Sequence, residues 1–394
     1  MPMYRRHIPS RCPVPRIVFF VAMTCEWLAA APYVPQPNNR VVINLGDTPW
    51  KFIKQDVSGA HIPSYNDAAW REVGVPHCYN SLDTYQNIES GIQITYQGTV
   101  WYRKHFKIPQ TLSGRKIFLH FEQVSVACAL YVNGMFVPGN TKVPQPDRVT
   151  HVGGYIPFVV DISTYVVFGD TNNVLALRVA NLGYWNSGYW YTPTLGEMYW
   201  VGGQYGGILA PVRLVITDPV HIPLNVYSVV ERWGTYGAVV NATDASATIR
   251  VQTNVYNDSE QLQQITLRTE VVDASGTVVL TIISSGIAQA QTKILFDQQG
   301  SILNPKLWYP NYSPHGTPYL YTIYSTVLRD GTQPVDVFQT PLGIRTITWD
   351  QNFPYINGRK HLMRGAAKRY DYPGFGSGLP EELRWKDIRL LAES

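Results

Sequence analysis

Charge is scarce in this chain. Only 15% of its 394 residues are Asp, Glu, Lys or Arg, well under the quarter usual in soluble domains. The balance of 32 basic against 28 acidic residues leaves a formal net charge of +4, too weak a field to argue for nucleic acid as a partner. Cysteine is scarce as well: Cys12, Cys25, Cys78 and Cys128 are the full set. No C-x-x-C or Cys/His spacing joins them, and His77, His120, His151 and His221 are scattered without metal spacing, so they read as structural polar residues and no metal site is expected. No apolar run is long enough to cross a bilayer as a helix. A Gly-rich phosphate loop, a nucleophile elbow and a basic stripe are all missing, so no cofactor is expected.

What is abundant points one way. Aromatic residues reach 13%, with 26 Tyr and 11 Trp, and 31 Gly and 28 Pro supply frequent turns. Many aromatics, many turn-formers and little charge favour β architecture over a helical bundle or coiled coil. The length corresponds to two or three domains.

The first 31 residues stand apart. Arg5, Arg6, Arg11 and Arg16 precede the apolar run Ile17–Cys25 and the small-residue stretch ending at Ala31, the pattern of a secretory signal peptide. Secretion, to the exterior or a periplasm, is therefore expected, with no membrane contact once the leader is gone. Pro32 is a poor residue just after a cleavage point, which leaves a cut elsewhere or an uncleaved anchor open. Four arginines and one glutamate leave with the leader, so the mature chain is nearly neutral. An exported location permits a Cys78–Cys128 disulfide, although nothing else in the sequence points to it.

Residues 40–218 read as short strands between turns. Lys116–Phe121 alternates with period two, and Ala127–Val132 runs into Asn133-Gly134, the strongest two-residue hairpin signal, before Met135–Val137. Val174–Val179 and Val212–Ile216 continue the pattern, and a jelly-roll sandwich is predicted. Asp218-Pro219 reads as a boundary. Residues 219–343 alternate more cleanly (Ala247–Tyr256, Ile265–Val272, Val278–Ile283, Tyr319–Leu328), with turns every 8–12 residues, and predict an immunoglobulin-like sandwich. In 344–394, strands are predicted at Phe353–Ile356 and Lys360–Gly365. They are followed by the only convincing helix, from Leu379 to Glu393, with Leu383, Ile388, Leu390 and Leu391 as its apolar side.

Several segments carry more than pattern. Tyr65-Asn-Asp-Ala-Ala-Trp-Arg-Glu-Val-Gly-Val-Pro-His77 resembles the signature of the sugar-binding domain of glycoside hydrolase family 2. Further segments follow in that family's order: Trp101–Phe106, Tyr131–Gly134, Gly153–Phe158 with Asp161-Ile162, Asn173–Val179, Gly206–Ile208 and Pro211–Leu214. Leu307–Pro310, Pro318–Tyr321, Gly343–Arg345, Ile356–Gly358 and Arg364-Gly365 complete the set. The resemblance implies a mainly β front portion, a jelly roll and then an immunoglobulin-like sandwich, leading into a (β/α)₈ barrel. It further implies a retaining glycosidase acting on β-linked sugars, in which one Glu protonates the leaving oxygen and another attacks the anomeric carbon. Oligomerisation of the full-length enzyme stays open.

Such a barrel needs about 250 residues, and only the first βα unit fits after Gly343. Neither catalytic Glu of the family is therefore expected in 344–394; the chain reads as a non-catalytic amino-terminal portion, inactive alone. A stand-alone carbohydrate-binding or adhesive module is the alternative. Arg364, Arg369 and Asp371, just past the first barrel strand, are candidate substrate contacts, with loop ion pairing as the plainer role; the family's histidine-rich run is replaced here by Lys368, Arg369, Tyr370 and Asp371. Trp185, Trp190 and Trp200 sit in aromatic-rich loops that could stack on a pyranose, or simply pack a domain contact. Glu381 and Glu382 are adjacent at a helix start and read as partners of its dipole, not as a catalytic pair. Asn241, Asn257 and Asn311 match the N-glycosylation acceptor.

Overall fold

A computed structural model describes residues 32–83, 96, 98–139, 149–181, 205–226, 233–363, 365, 368 and 372–393. Strands dominate, as the scarcity of helical periodicity requires.

The first sandwich is built from fourteen strands among the described residues: β1 (Val41–Asn44), β2 (Trp50–Ile53), β3 (Arg71–Val73), β4 (His77–Cys78), β5 (Thr99–Phe106), β6 (Lys116–Phe121), β7 (Val124–Ser125), β8 (Ala127–Val132), β9 (Met135–Val137), β10 (His151–Val152), β11 (Phe158–Asp161), β12 (Asn173–Ala180), β13 (Gly207–Ile208) and β14 (Val212–Thr217). One sheet has the order β1-β14-β6-β11. The facing sheet has the order β10-β8-β12-β5-β2-β3, with β9 on β8, and a small sheet β4-β13-β7 closes one side. All the ladders are antiparallel.

Between the two large sheets lies a continuous core of Val100, Tyr102, Leu119, Phe121, Leu130, Phe158, Leu175 and Leu177 with their neighbours. Phe121 and Phe158 stack with centroids 4.8 Å apart. Each such side chain contributes about 1.5–3 kcal/mol through burial. β8 is buried at every position, because its other face is covered too. Trp101, Ala129, Tyr131 and Ala176 on that outer face pack under the segment carrying Ala60 and Trp70. Alanines at 127, 129, 176 and 180 let that segment lie close. The Asn133-Gly134 hairpin turns through φ of 51° and 82°. The Asn133 side chain also donates to Tyr165 O and Asn173 Oδ1, each 2.8 Å away, so it ties the hairpin to the start of β12.

The second sandwich comprises β15 (Val220–His221), β16 (Thr235–Ala242), β17 (Ser246–Asn257), β18 (Gln263–Val272), β19 (Val278–Ala288), β20 (Thr292–Leu303), β21 (Tyr321–Arg329) and β22 (Gln333–Leu342). One sheet has the order β15-β17-β16, with β20 on β17; the other is β19-β18-β21-β22. Two apolar clusters fill it, one around Val255, Leu267 and Val327 and the other around Ile249, Val271 and Ile323. A buried polar belt lies among them: Thr235 Oγ1 meets Thr253 Oγ1 at 3.1 Å and donates to Ser325 Oγ at 3.2 Å, and Thr269 Oγ1 donates to Gln298 Oε1 at 2.6 Å. Buried hydroxyls and amides stay inexpensive only when paired in this way. β16, β20 and β22 were not legible as strands in the sequence.

An arm before the first strand, residues 32–40, lies on the second sandwich. Tyr33 donates its hydroxyl to Glu270 Oε2 at 2.8 Å, and its ring sits 4.8 Å from Tyr324. Asn38 Nδ2 donates to Val337 O at 2.9 Å. Arg40 pairs with Asp336 at 2.7 Å, and both side chains are buried.

Beyond Leu342, β23 (Ile347–Trp349), β24 (Pro354–Ile356) and β25 (Arg359–Lys360) form a meander. Of the predicted strand at Lys360–Gly365, Lys360 lies in β25 and His361 N still donates to Pro354 O at 3.0 Å, while Leu362 and Met363 are outside any strand and Arg364 lies outside the described residues. Helix α1 (Glu381–Glu393) follows. Pro380 and the two glutamates stand at its start as expected. The expected apolar side is not buried: Ile388, Leu390 and Leu391 are exposed, and no residue of α1 is buried. At its amino-terminal end Leu379 is buried and Arg384 Nη2 donates to Leu209 O at 3.0 Å.

Candidate functional site

The family-like segments resolve into physical pairs. Asp67, from the Asn-Asp-x-x-Trp stretch, accepts from Arg103 Nε at 2.7 Å and from His105 Nε2 at 2.8 Å. Burial alone would raise the Asp67 carboxyl, but the hydrogen bonds from His105 and Arg103 outweigh it and hold the group below the usual carboxylate range. The wholly buried Arg103 guanidinium also donates to the carbonyls of Ala60, Ile62, Pro63 and Tyr65. One cation thus organises the whole covering segment. At the other end of the chain, Trp308 lies under the Arg345 guanidinium, 4.6 Å from the ring centre, and its carbonyl accepts from Asn357 Nδ2 at 3.0 Å. Asn357 exchanges two further 3.0 Å bonds with Thr346. These matching residues hold the architecture together.

The histidines are placed structurally. His77 Nδ1 lies 2.8 Å from the Tyr102 hydroxyl, and His151 stacks on Phe158 at 4.1 Å. Burial depresses both imidazoles to about 4, and it also lowers His120. His221 is buried between Phe118 and Tyr256. Cys78 and Cys128 are free, buried thiols. The permitted disulfide is not formed, because Cys128 sits in the main core while Cys78 belongs to the small sheet, donating to Asn80 Oδ1 at 3.3 Å. Burial pushes the Cys78 thiol up to about 12, which removes its thiolate reactivity. Among the described residues, no group of three or more His, Cys, Asp or Glu could hold a metal ion. Asn257 is ruled out as a glycosylation acceptor: it is fully buried and its amide donates to Gln261, Ala288 and Gln289 carbonyls. Asn241 and Asn311 are exposed.

Arg364, Arg369, Asp371, Trp185, Trp190 and Trp200 all lie outside the described residues. Beside the first three, Lys368 pairs with Asp387 of α1 at 2.7 Å, which fastens that turn to the helix. The turn that follows reaches the first sandwich: Cβ atoms at Gly376 and Gly378 would stand 2.9 Å from Cys78 Sγ and 2.8 Å from Cys78 N. Only glycine permits that approach.

Next to this seam opens a groove of about 950 Å³. One wall is the β2–β3 edge, with Phe52, Lys54, Trp70 and Arg71; the other is Gly374, Phe375 and the start of α1. Lys54 Nζ holds Asp83 through both carboxylate oxygens, at 2.7 and 2.9 Å. Glu381 accepts from Trp385 Nε1 at 3.3 Å. Sequence reasoning missed this groove, because its walls are about three hundred residues apart in the chain; the one local signal was Arg71 directly after the Trp70 signature.

The described residues thus form two antiparallel sandwiches in tandem, with a short meander and a helix after them. Residues 43–210 match the glycosyl hydrolases family 2 sugar binding domain, and residues 232–345 match the second family segment, glycosyl hydrolases family 2. The chain belongs to glycosyl hydrolases family 2. It is 32% identical over 362 residues to a beta-glucuronidase of Formosa agariphila, covering 88% of this chain and 34% of that protein. It is 28% identical over 355 residues to a beta-galactosidase of Thermoanaerobacter pseudethanolicus, covering 89% and 42%. A solved beta-glucuronidase from glycoside hydrolase family 2 superposes with a TM-score of 0.77 at 30% identity, over 91% of this chain and 36% of that one. The chain thus spans between 34% and 42% of the length of these relatives.

Proposed function

We propose that this chain is the non-catalytic, sandwich-bearing portion of an exported retaining glycoside hydrolase that cleaves β-linked sugars. The observation that carries this reading is the pair of family segments in the family's order, each folded as its own sandwich. The relatives, a beta-glucuronidase and a beta-galactosidase, support the β-linked substrate class.

The carboxylates of the described residues support the non-catalytic part. A glycosidase general acid needs a raised pKa, and its partner carboxyl stands about 5–5.5 Å away in a retaining enzyme. Here the buried acids are tied to cations: Asp67 to Arg103, Asp218 to Arg329, Glu270 to Arg268 and Asp336 to Arg40. Asp56, Asp67, Asp161, Asp273, Asp297 and Asp350 are all shifted down. Ionised, hydrogen-bonded carboxylates of this kind build structure and are poor proton donors.

The test is an assay of the purified 394-residue chain on aryl β-glucuronides, β-galactosides and β-mannosides. The expected result is no aglycone release above a heat-killed control, with turnover appearing when the chain is extended by the coding frame past Ser394. Turnover by the chain alone, or none by the extended protein, overturns the proposal. For export, protein recovered outside the cytoplasm should begin at or after Pro32; an intact Met1 on cytoplasmic protein alone refutes that part.

A further inference from the structure

We propose that the groove between the first sandwich and the start of α1 is a holding site for a neutral oligosaccharide. Its walls come from β3 and from the Gly374–Glu382 segment, and they are fixed against one another by the glycine contacts on Cys78 and by Arg384 on Leu209 O. At about 950 Å³ it has the size of a ligand cleft.

Two of its charged groups are unspent. Arg71 on one wall and Glu382 on the other have no hydrogen-bond or ion-pair partner among the described residues. A guanidinium donates and a carboxylate accepts, and the hydroxyls of a saccharide, each both donor and acceptor, can serve either wall. The other charges are already committed: Lys54 is neutralised by Asp83, and Glu381 accepts from Trp385. The lining therefore carries both signs and presents no cationic field for a phosphate or a uronate. Phe375 is 44% exposed at the rim and offers an apolar face for the C–H side of a pyranose. At Gly74 and Gly374, a Cβ would meet nothing within 4 Å, so the backbone on both walls is open to a ligand.

The choice of a saccharide over other polyols rests on the glycosidase reading. The test needs no catalysis, so the two can fail separately. The 394-residue chain is titrated calorimetrically with β-1,4-linked galactotetraose and mannotetraose, with a glucuronate tetramer as the acidic probe. A neutral tetrasaccharide should bind with a Kd on the order of 1 mM or tighter. Gly74→Phe, which projects a ring into open space, and Glu382→Gln, which removes the acceptor charge, should each weaken that binding tenfold or more while leaving the melting temperature unchanged. Absence of neutral-sugar binding, binding of the glucuronate tetramer alone, or unchanged binding in both folded variants overturns the proposal. Hydrolysis by the extended protein together with a silent groove would sink only the groove; sugar binding without hydrolysis by the extended protein would sink only the glycosidase.

Discussion

The two sandwiches solve the same burial problem differently. The first covers its β8–β12 sheet on both faces, so β8 is buried throughout and alanine is spaced along the outer face of β8 and β12. The second leaves its outer faces to water. β19 alternates exposed and half-buried residues, and Ile283 and Ile287 stand on its outer face at 62% and 55% exposure. Antiparallel sheets tolerate one solvated face, and a clean period of two is its signature. What the first gains from a second layer, the second obtains from a buried polar belt and from an arm that belongs to the opposite end of the chain. Both also contain a buried arginine–carboxylate pair. Arg103–Asp67 joins residues 36 apart, whereas Arg40–Asp336 joins residues 296 apart.

That contrast can be broken experimentally. The largest effect is expected from Arg103→Met, which leaves the Asp67 carboxylate with His105 alone and takes a donor from four carbonyls under the covering segment. Losing one partner of a buried pair costs about 3–5 kcal/mol, and urea unfolding should report a loss in that range. Asp336→Ala should cost about 3 kcal/mol, since it leaves the buried Arg40 charge and the Ile222 N–H unpaired. Hydrogen exchange should localise this loss to the arm and β22 and leave β8 and β12 protected; uniform loss would mean the arm is not a local clamp.

A pH experiment sharpens the comparison. His77 and His151 of the first sandwich are depressed to about 4 by burial, whereas an unfolded imidazole titrates near 6.5. The unfolded chain then binds protons more readily, so stability is full above about pH 6.5 and falls as the pH drops towards 4. For His151 the loss is roughly 2–3 kcal/mol. His151→Gln should flatten that slope, and an unchanged slope would refute the assignment. The next effect is steric: Ala176→Leu overpacks the second layer and should cost about 1–3 kcal/mol. The smallest is Ile283→Thr on the open face, within about 0.5 kcal/mol of the parent in a thermal melt.

Much of this fold was legible. Lys116–Phe121, Ala127–Val132 and Met135–Val137 were read with the ends they have in the structure, because alternation and an Asn-Gly turn are local signals. β20 was missed: its run Thr-Lys-Ile-Leu-Phe-Asp-Gln-Gln-Gly-Ser-Ile-Leu places a polar triplet and a glycine mid-strand. They are accommodated because Gln298 is satisfied by Thr269 and Ser284, and Leu280 fills the space over Gly300. The apolar side of α1 was legible, but that Ile388, Leu390 and Leu391 stand exposed was not, since periodicity reports that a stripe exists and not that a surface covers it. The groove was invisible for a related reason: no window of sequence contains both Arg71 and Glu382.

The amino-acid order alone determined many of the sheet-forming segments, their turns and the family, because these depend on side-chain period and on short motifs. Only the tertiary structure decided how those motifs are used. It put Asp67 on Arg103, kept Cys78 and Cys128 apart, and drew the arm at Tyr33–Arg40 across the second sandwich. Such pairings depend on distance in space between residues far apart along the chain, and that distance is set by packing the sheets and not by any local preference.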